Sequence, residues 1–180
     1  MKTTVVLGVL LALLSTSALA ERPRETPHGD DGRSAGGGVI GTLAITGQTQ
    51  GQFAGGPFDV LGYSHEIVSP RDAASGLPTG KRQHEPLTVR IPVGAAAPML
   101  MNAIAWNENL PMVTLNLYKP GTTTVGTTIK LTNASVANFS NPCDTGYADC
   151  ESVALTYQKI QWTWLDSGTT AEDSWAAEAL

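Results

Sequence analysis

The 180-residue sequence has few basic residues and little low-complexity character, and each shortage argues against a class of protein. Lysine and arginine number 11 against 16 aspartates and glutamates, whereas a general nucleic-acid binder needs a surplus of cations against the phosphates. The 19 glycines and 11 prolines fall short of the share that marks low-complexity sequence, roughly a quarter of the residues. One mildly acidic globular domain, with no nucleic-acid partner, remains.

The longest apolar run of the chain lies at its start. Met1 and Lys2 precede an apolar run over residues 5–14, and small residues ending in Ala20 follow it. This order is typical of a secretory signal peptide, here residues 1–20, with cleavage between Ala20 and Glu21. A retained membrane anchor is the alternative, but the run is too short to cross ~30 Å of hydrocarbon. We therefore expect a secreted protein, exported to the periplasm or beyond, without stable membrane insertion.

Residues 21–38 and the two cysteines complete the predicted organisation. The segment 21–38 mixes Gly, Pro and charges of both signs with almost nothing apolar, which predicts a flexible leader before a domain at 39–180. Cys143 and Cys150 flank a turn-rich stretch, and in an exported chain such a pair predicts a local disulfide bond. A metal site is the competing interpretation, but it needs further Cys or His ligands nearby in sequence.

The dominant pattern of the domain is β. Apolar residues alternate, or Val, Ile, Thr, Tyr and Trp dominate, in six segments: 39–46, 58–69, 87–93, 110–119, 124–138 and 152–165. In segment 58–69 both faces carry apolar residues, so we expect it to contact protein on both sides. Segment 70–86 is a long polar connection, and the tail from Asp166 carries four acids without a base.

One segment changes to a helical period. Between residues 95 and 106, Pro98 suits a first helical turn, and Leu100 and Ile104 share a helical stripe. Six strands and one helix predict a mainly β fold, a small antiparallel β-barrel or sandwich with one short α-helix and an extended loop. Closure of the sheet would also protect the edges of so many strands.

The sequence offers no arrangement suited to catalysis, and we expect neither enzyme activity, a cofactor nor a metal. The three histidines, His28, His65 and His84, lack the spacing of a compact zinc site. Ser64, His65 and Glu66 have the residue types of a hydrolase triad, but neighbouring strand residues point to opposite faces. A structural role is therefore favoured for them.

Charges concentrate on two segments of the domain. The long connection carries Arg71, Lys81, Arg82 and His84, and the tail carries acids that include Glu172 and Asp173. Both segments are plain solvated surface in the simplest interpretation. In the alternative, the basic loop of one subunit contacts the acidic patch of the next, a head-to-tail contact that closes into a ring when the rotation allows.

Several ordered blocks of the chain resemble the haemolysin-coregulated protein family, Hcp, whose members form the inner tube of bacterial type VI secretion systems. The resemblance spans about residues 43–175 and rests on blocks at 62–66, 69–72, 76–87, 107–111, 129–135 and 156–164, among them GYSHE, GLPTGKRQHEPL and TYQKIQWTW. It implies a small β-barrel with one helix, hexameric rings that stack into a tube, and no catalysis.

The resemblance also implies a role for the loop from Ser69 to Pro86. It is similar to the arm of the family that contacts a neighbouring subunit or ring, which favours Arg71, Lys81, Arg82, His84, Glu172 and Asp173 as assembly contacts. The expected partners are further copies of the chain, secreted effector proteins or other type VI secretion components.

Two features depart from the family pattern. Typical tube subunits carry no cleavable signal, whereas this chain has residues 1–20, and the predicted disulfide suits an oxidising compartment. An exported Hcp-like binding module or effector carrier, outside any sheath-driven tube, is therefore the alternative function.

The disulfide prediction has a direct test. Labelling the unreduced, denatured mature protein with a thiol reagent should find no free thiol, since Cys143 and Cys150 are its two cysteines. Two labelled thiols per chain would contradict the pairing, and the reduced protein, which should label at both positions, is the control.

Overall fold

The computed structural model describes residues 38–141 and 150–175. Within these ranges the chain forms eleven β-strands and one α-helix, the helix α1 (Ala96–Ala105) lying between the seventh and eighth strands. The strands in chain order are β1 (Gly41–Gly47), β2 (Gly51–Gln52), β3 (Phe58–Val60), β4 (Gly62–Ser64), β5 (Ile67–Val68), β6 (Gln83–His84), β7 (Leu87–Pro92), β8 (Leu110–Tyr118), β9 (Val125–Ser140), β10 (Cys150–Trp164) and β11 (Thr169–Ser174).

Nine of the described strands form one antiparallel sheet with a barrel-like course. The five long strands follow in the order β1, β8, β9, β10 and β7, and β11 pairs with β10. Strand β3 pairs with the free edge of β1, and β4 pairs with the free edge of β7. Strands β5 and β6 pair with each other as a separate two-stranded sheet. The mainly β, barrel-like prediction with one short helix is therefore confirmed.

A single short segment links the two edges of the large sheet. Strands β3 and β4 are separated only by Leu61, whose N–H donates to the carbonyl of Arg90 at 2.9 Å. At Gly62 a Cβ atom would lie 2.1 Å from a guanidinium nitrogen of Arg90, so a side chain there would have to displace that guanidinium. The predicted continuous strand over 58–69 is wrong, because the segment changes its pairing partner: β3 pairs with β1, and β4 pairs with β7.

The alternating apolar residues of the sequence build the core. Leu43 and Ile45 of β1, and Leu87, Val89 and Ile91 of β7, are buried, as their period of two predicts. Helix α1 buries Leu100 and packs against β9, which confirms the predicted helix. Fully burying each such side chain contributes about 1.5–3 kcal/mol, so these faces dominate the stability of the fold.

Strand β11 was not predicted. Its sequence, Thr-Thr-Ala-Glu-Asp-Ser, has no apolar alternation, yet it pairs with β10 from Lys159 to Trp164. Backbone hydrogen bonds to β10 hold this strand rather than burial of its side chains, most of which are exposed. The acidic tail is therefore part of the sheet up to Ser174.

One edge of β10 has a short interval between two partner strands. Strand β7 pairs with β10 up to Leu155, and β11 pairs with it from Lys159 onward. Residues 156–158 lie outside both ladders, although the Trp175 N–H donates to the Gln158 carbonyl at 2.8 Å, and Thr156 and Tyr157 pair with β9 on the other side. Tyr157 is buried.

Three predictions fall outside the described residues wholly or in part. The signal peptide with its cleavage between Ala20 and Glu21, and the leader to residue 37, lie before the described region. Cys150 begins β10 and is buried, but Cys143 lies in the undescribed stretch 142–149, so the disulfide stays a prediction.

The part of the chain that the structure describes has no helix that is both long and apolar enough to cross a membrane.

A buried carboxylate ties the first hairpin to the end of α1. Glu108 is 5% exposed, and its Oε1 accepts the backbone N–H groups of Thr49 at 2.7 Å and Gln50 at 2.8 Å. Its Oε2 accepts the side-chain amide of Gln50, which also donates to the Met99 carbonyl. Burial acts to raise the pKa of Glu108, but these hydrogen bonds outweigh it and hold the pKa below the ordinary value.

We predict that Glu108→Gln lowers the free energy of unfolding at neutral pH by about 1–3 kcal/mol, because its new amide opposes the amide of Gln50. Because the folded-state pKa of Glu108 is lowered, its contribution is present above 4.5 and is lost as the pH falls through the folded-state value. Chemical denaturation at neutral and acid pH measures both effects, and the gap between the variant and the wild type should narrow in acid.

The exposed Glu66→Gln is the matched control, expected to change stability by less than about 0.5 kcal/mol. Equal stability of Glu108→Gln and the wild type at neutral pH would contradict the role of this carboxylate.

Candidate assembly surface

The long polar connection is an ordered hairpin rather than a structureless loop. We define the arm as residues 67–84, comprising β5, β6 and the connection between them. Near its tip an isolated bridge joins Arg71 and Pro78, and the Thr79 N–H donates to the Pro70 carbonyl at 3.0 Å. The arm therefore has a defined shape of its own.

A turn centred on Asp72 shapes the tip of the arm. Its Oδ1 accepts the backbone N–H groups of Ala74 at 3.1 Å and Ser75 at 2.7 Å, and the Ser75 hydroxyl at 2.7 Å. These bonds, above all the one from the Ser75 hydroxyl, lower the pKa of Asp72. Gly76 follows with a φ of 70°, a left-handed conformation that glycine adopts without strain.

The arm exposes apolar side chains on both of its faces. Ile67 and Val68 are adjacent in β5 and so point to opposite faces, yet they are 39% and 37% exposed. Leu77 near the tip is 65% exposed. We expected segment 58–69 to contact protein on both sides. In β5, the part of this segment that belongs to the arm, both side chains are instead exposed. These faces are available to another molecule.

The base of the arm is held to the barrel by a network of five polar side chains, which we call the latch: His65, Arg82, His84, Tyr157 and Asp173. The guanidinium of Arg82 donates through two nitrogens to the carboxylate of Asp173. His84 Nε2 lies 3.0 Å from Asp173 Oδ2, and its Nδ1 lies 3.0 Å from the hydroxyl of Tyr157. The same hydroxyl lies 2.5 Å from His65 Nε2.

The latch residues come from β10, β11 and the chain at the base of the arm. Tyr157 lies in β10, and Asp173 lies in β11. His65 precedes β5, Arg82 directly precedes β6, and His84 ends β6. The latch therefore joins the arm to both β10 and β11.

Aromatic rings enclose the two histidines. The centroid of the His65 ring lies 5.0 Å from that of Trp162, and the His84 ring lies 5.8 Å from the ring of Trp175. Trp175 is 61% exposed, and with His84 and Tyr157 it lines an open groove of about 570 Å³ beside the arm. His84 is buried, whereas His65 is half-buried.

The environment shifts the protonation of three latch residues. Burial lowers the pKa of His65, and the neighbouring His84 lowers it further. The hydrogen bonds from Arg82 are the main reason that the pKa of Asp173 is lowered, against the opposing effect of burial. Burial raises the pKa of Tyr157 well above its ordinary value, and the charge of Asp173 adds to this. Tyr157 therefore keeps its proton, and Asp173 keeps its charge, at neutral pH.

The structure brings three of the six predicted assembly residues together within one chain: Arg82, His84 and Asp173. Glu172 pairs with Lys159 at 2.8 Å. Arg71 donates to the Gly76 carbonyl at 3.1 Å inside the arm, and Lys81 is exposed. Contacts of these six residues with a neighbouring subunit stay a prediction.

Sequence analysis missed His65 and Tyr157 as members of a common site. They are 92 positions apart, and Tyr157 reads as one more strand residue. The pairing of β11 with β10 places Asp173 beside the arm, and a prediction of that pairing would have been needed to find the site.

Among the described residues, His, Cys, Asp and Glu side chains form no group of three or more suited to a metal ion. The contact between His65 and Tyr157 belongs to the hydrogen-bonded network of the latch.

Comparison with known proteins places this geometry in a family context. A sequence model described as "Type VI secretion system effector, Hcp" matches residues 34–164. The "Major exported protein" of Pseudomonas aeruginosa PAO1 is 32% identical over 162 residues, covering 74% of this chain and 93% of that protein.

Solved structures share the fold. The "Crystal structure of Hcp protein" superposes with a TM-score of 0.69 at 25% identity, covering 77% of this chain and 100% of that one. The "Secreted protein Hcp3 from Pseudomonas aeruginosa" gives 0.61 at 25% identity, covering 75% and 99%. Hcp1 of E. coli EAEC 042, at 24% identity and a TM-score of 0.67 over 77% and 99% of the chains, shows the fold alone.

We predict that Asp173→Asn loosens the arm, because the neutral side chain loses the charge-assisted bonds from Arg82. Hydrogen exchange of the backbone amides at Gln83 and Glu85, which face the partner chain of the hairpin, should speed up at neutral pH, while exchange in β1 and β8 should not change.

Glu172→Gln is the matched control, since it removes the neighbouring acid that pairs with Lys159 instead. Equal exchange in the two variants would contradict an anchoring role for Asp173.

Proposed function

The chain belongs to the Hcp family of type VI secretion proteins, and from that premise we propose that it is a structural, non-catalytic subunit that self-assembles into hexameric rings. The proposal includes export after cleavage between Ala20 and Glu21, and rings able to stack. The observation that carries it is the arm, which is fixed at its base and uncovered on both faces.

The physical argument starts from the marginal stability of a two-stranded hairpin. Such a hairpin in water needs further packing, and within the described residues the arm gains it at the base through the latch. Exposed Ile67, Val68 and Leu77 then remain to be covered. A fixed projection with apolar faces suits insertion against a second copy of the chain.

The geometry of the contact is head-to-tail. The arm projects from one position of the subunit and must meet a different surface on its neighbour, which makes the contact heterologous. A heterologous contact that closes gives a ring, and six-fold closure is what the family resemblance implies. The exposed charges Arg71 and Lys81 are the arm cations that remain outside the internal pair of Arg82 and Asp173.

Export is supported by the sequence and by relatives. Residues 1–20 have the order of a signal peptide, and the 32% identical relative is named "Major exported protein". For this chain we propose the periplasm or the exterior as the place where the rings form.

The ring is tested by sedimentation velocity and electron microscopy of the chain from Glu21 onward. We expect a hexamer with a central opening, and Lys81→Glu should weaken each interface roughly five-fold by reversing an exposed arm charge. High salt should weaken wild-type rings in the same direction, because it screens charge pairs at the surface.

Lys130→Glu is the matched control, since it makes the same charge change at an exposed position of β9 outside the arm. A wild-type protein that stays monomeric at high concentration would refute the ring, and equal assembly of all three proteins would remove Lys81 from the interface.

A further inference from the structure

The latch is an unbroken chain of hydrogen bonds, and its hydrogens can be assigned from its acceptors. The carboxylate of Asp173 only accepts, so Arg82 and His84 Nε2 both donate to it. In a neutral His84 the other ring nitrogen, Nδ1, then accepts the hydroxyl hydrogen of Tyr157. The oxygen of Tyr157 in turn accepts from His65 Nε2. With both histidines neutral, every polar atom between the two rings has a partner.

A first added proton leaves this chain intact. If it binds His65, the Nε2–H of that ring still donates to Tyr157 and nothing else changes. If it binds His84 at Nδ1, that nitrogen donates to the oxygen of Tyr157. Neutral His65 then carries its own hydrogen on Nδ1 instead of Nε2, so its Nε2 accepts the hydroxyl hydrogen of Tyr157. In either case Tyr157 has one donor and one acceptor beside it.

A second proton cannot be accommodated. Both ring nitrogens that face Tyr157 then carry hydrogens, so the hydroxyl hydrogen loses its acceptor between the rings. The two imidazolium rings, with centroids 6.4 Å apart, repel each other. Arg82 already adds a positive charge, and Asp173 is the one carboxylate among the five residues of the latch.

We propose that the attachment of the arm depends on the number of protons added to His65 and His84. The arm stays attached while the two neutral rings have gained at most one proton between them, and it is released when each ring has gained one. The loss of rings that should follow rests on the proposed function, but the release of the arm does not.

The charged groups around the latch do not supply a compensating anion. From the arm side, Arg82 faces it; from β10 and β11, Tyr157 and Asp173 face it. Glu85, next to His84, lines the adjoining groove, and Glu172 is held by Lys159. Glu66 and Glu85 directly follow His65 and His84 in the chain, and among the described contacts neither carboxylate bonds to either ring.

The direction of the pH effect follows from His65. Its pKa is lowered from 6.5 by burial and by His84, so the released arm binds the second proton more tightly than the attached arm. Release is therefore favoured as the pH falls below 6.5. The lowered pKa of Asp173 keeps its pair with Arg82 charged in the same range.

The test follows hydrogen exchange and sedimentation of the mature chain from neutral pH to about pH 5. After correction for the intrinsic pH dependence of exchange, the amides of Gln83 and Glu85 should lose up to about ten-fold protection per pH unit as the pH falls below 6.5. His65→Gln should keep this protection, because its amide can donate to Tyr157 and cannot gain a proton. His28→Gln, which changes the histidine of the predicted leader, should behave as the wild type.

Each outcome decides the proposal. Retained protection in the wild type at pH 5, or equal loss in His65→Gln, would overturn it. Arm release in a protein that forms no rings at any pH would uphold the latch and refute the proposed function instead. Rings that persist after the arm is released would refute the dependence of assembly on the latch.

Discussion

The pairing of β11 with β10 is the constraint on which the attachment of the arm depends. It places Asp173 of β11 near Tyr157 of β10, whose ring is buried and whose hydroxyl faces the base of the arm. Both side chains bond to His84, one at each ring nitrogen. The register of β11 thus positions the surface that we assign to assembly.

Sequence patterns predicted the elements that bury apolar side chains. The alternation in β1 and β7 and the helical stripe through Leu100 located these elements to within a few residues, because burial imposes a period. Strand β11 and the division of segment 58–69 leave no such trace, since backbone pairing and the crossing between two sheet edges determine them. The latch was missed for a related reason: it joins residues whose proximity follows from the register of β11, which the tail sequence does not encode as a pattern.

The charge distribution has a different meaning in the fold than in the sequence. A basic loop and an acidic tail predict attraction between subunits, yet Arg82 and Asp173 neutralise each other within one chain. Partly buried charges need partners, and Arg82 and Asp173 find theirs within the same chain. This internal pair stabilises the position of the arm, and a contact between subunits is then left to exposed apolar residues and the remaining cations. A stable hairpin presented in one orientation loses less entropy on binding than a flexible loop.

The arm also continues two paired strands of the barrel. His65 and Glu66 connect β4 to the start of the arm, and Glu85 and Pro86 connect the end of the arm to β7. Strands β4 and β7 are antiparallel partners. A pulling force on the arm therefore reaches both strands at the same end and would separate them one hydrogen bond after another. The bonds of the latch lie ahead of that ladder and bear the load first. In the ring that we propose, a force that pulls on the arm would break the polar contacts around Tyr157 before it separates β4 from β7.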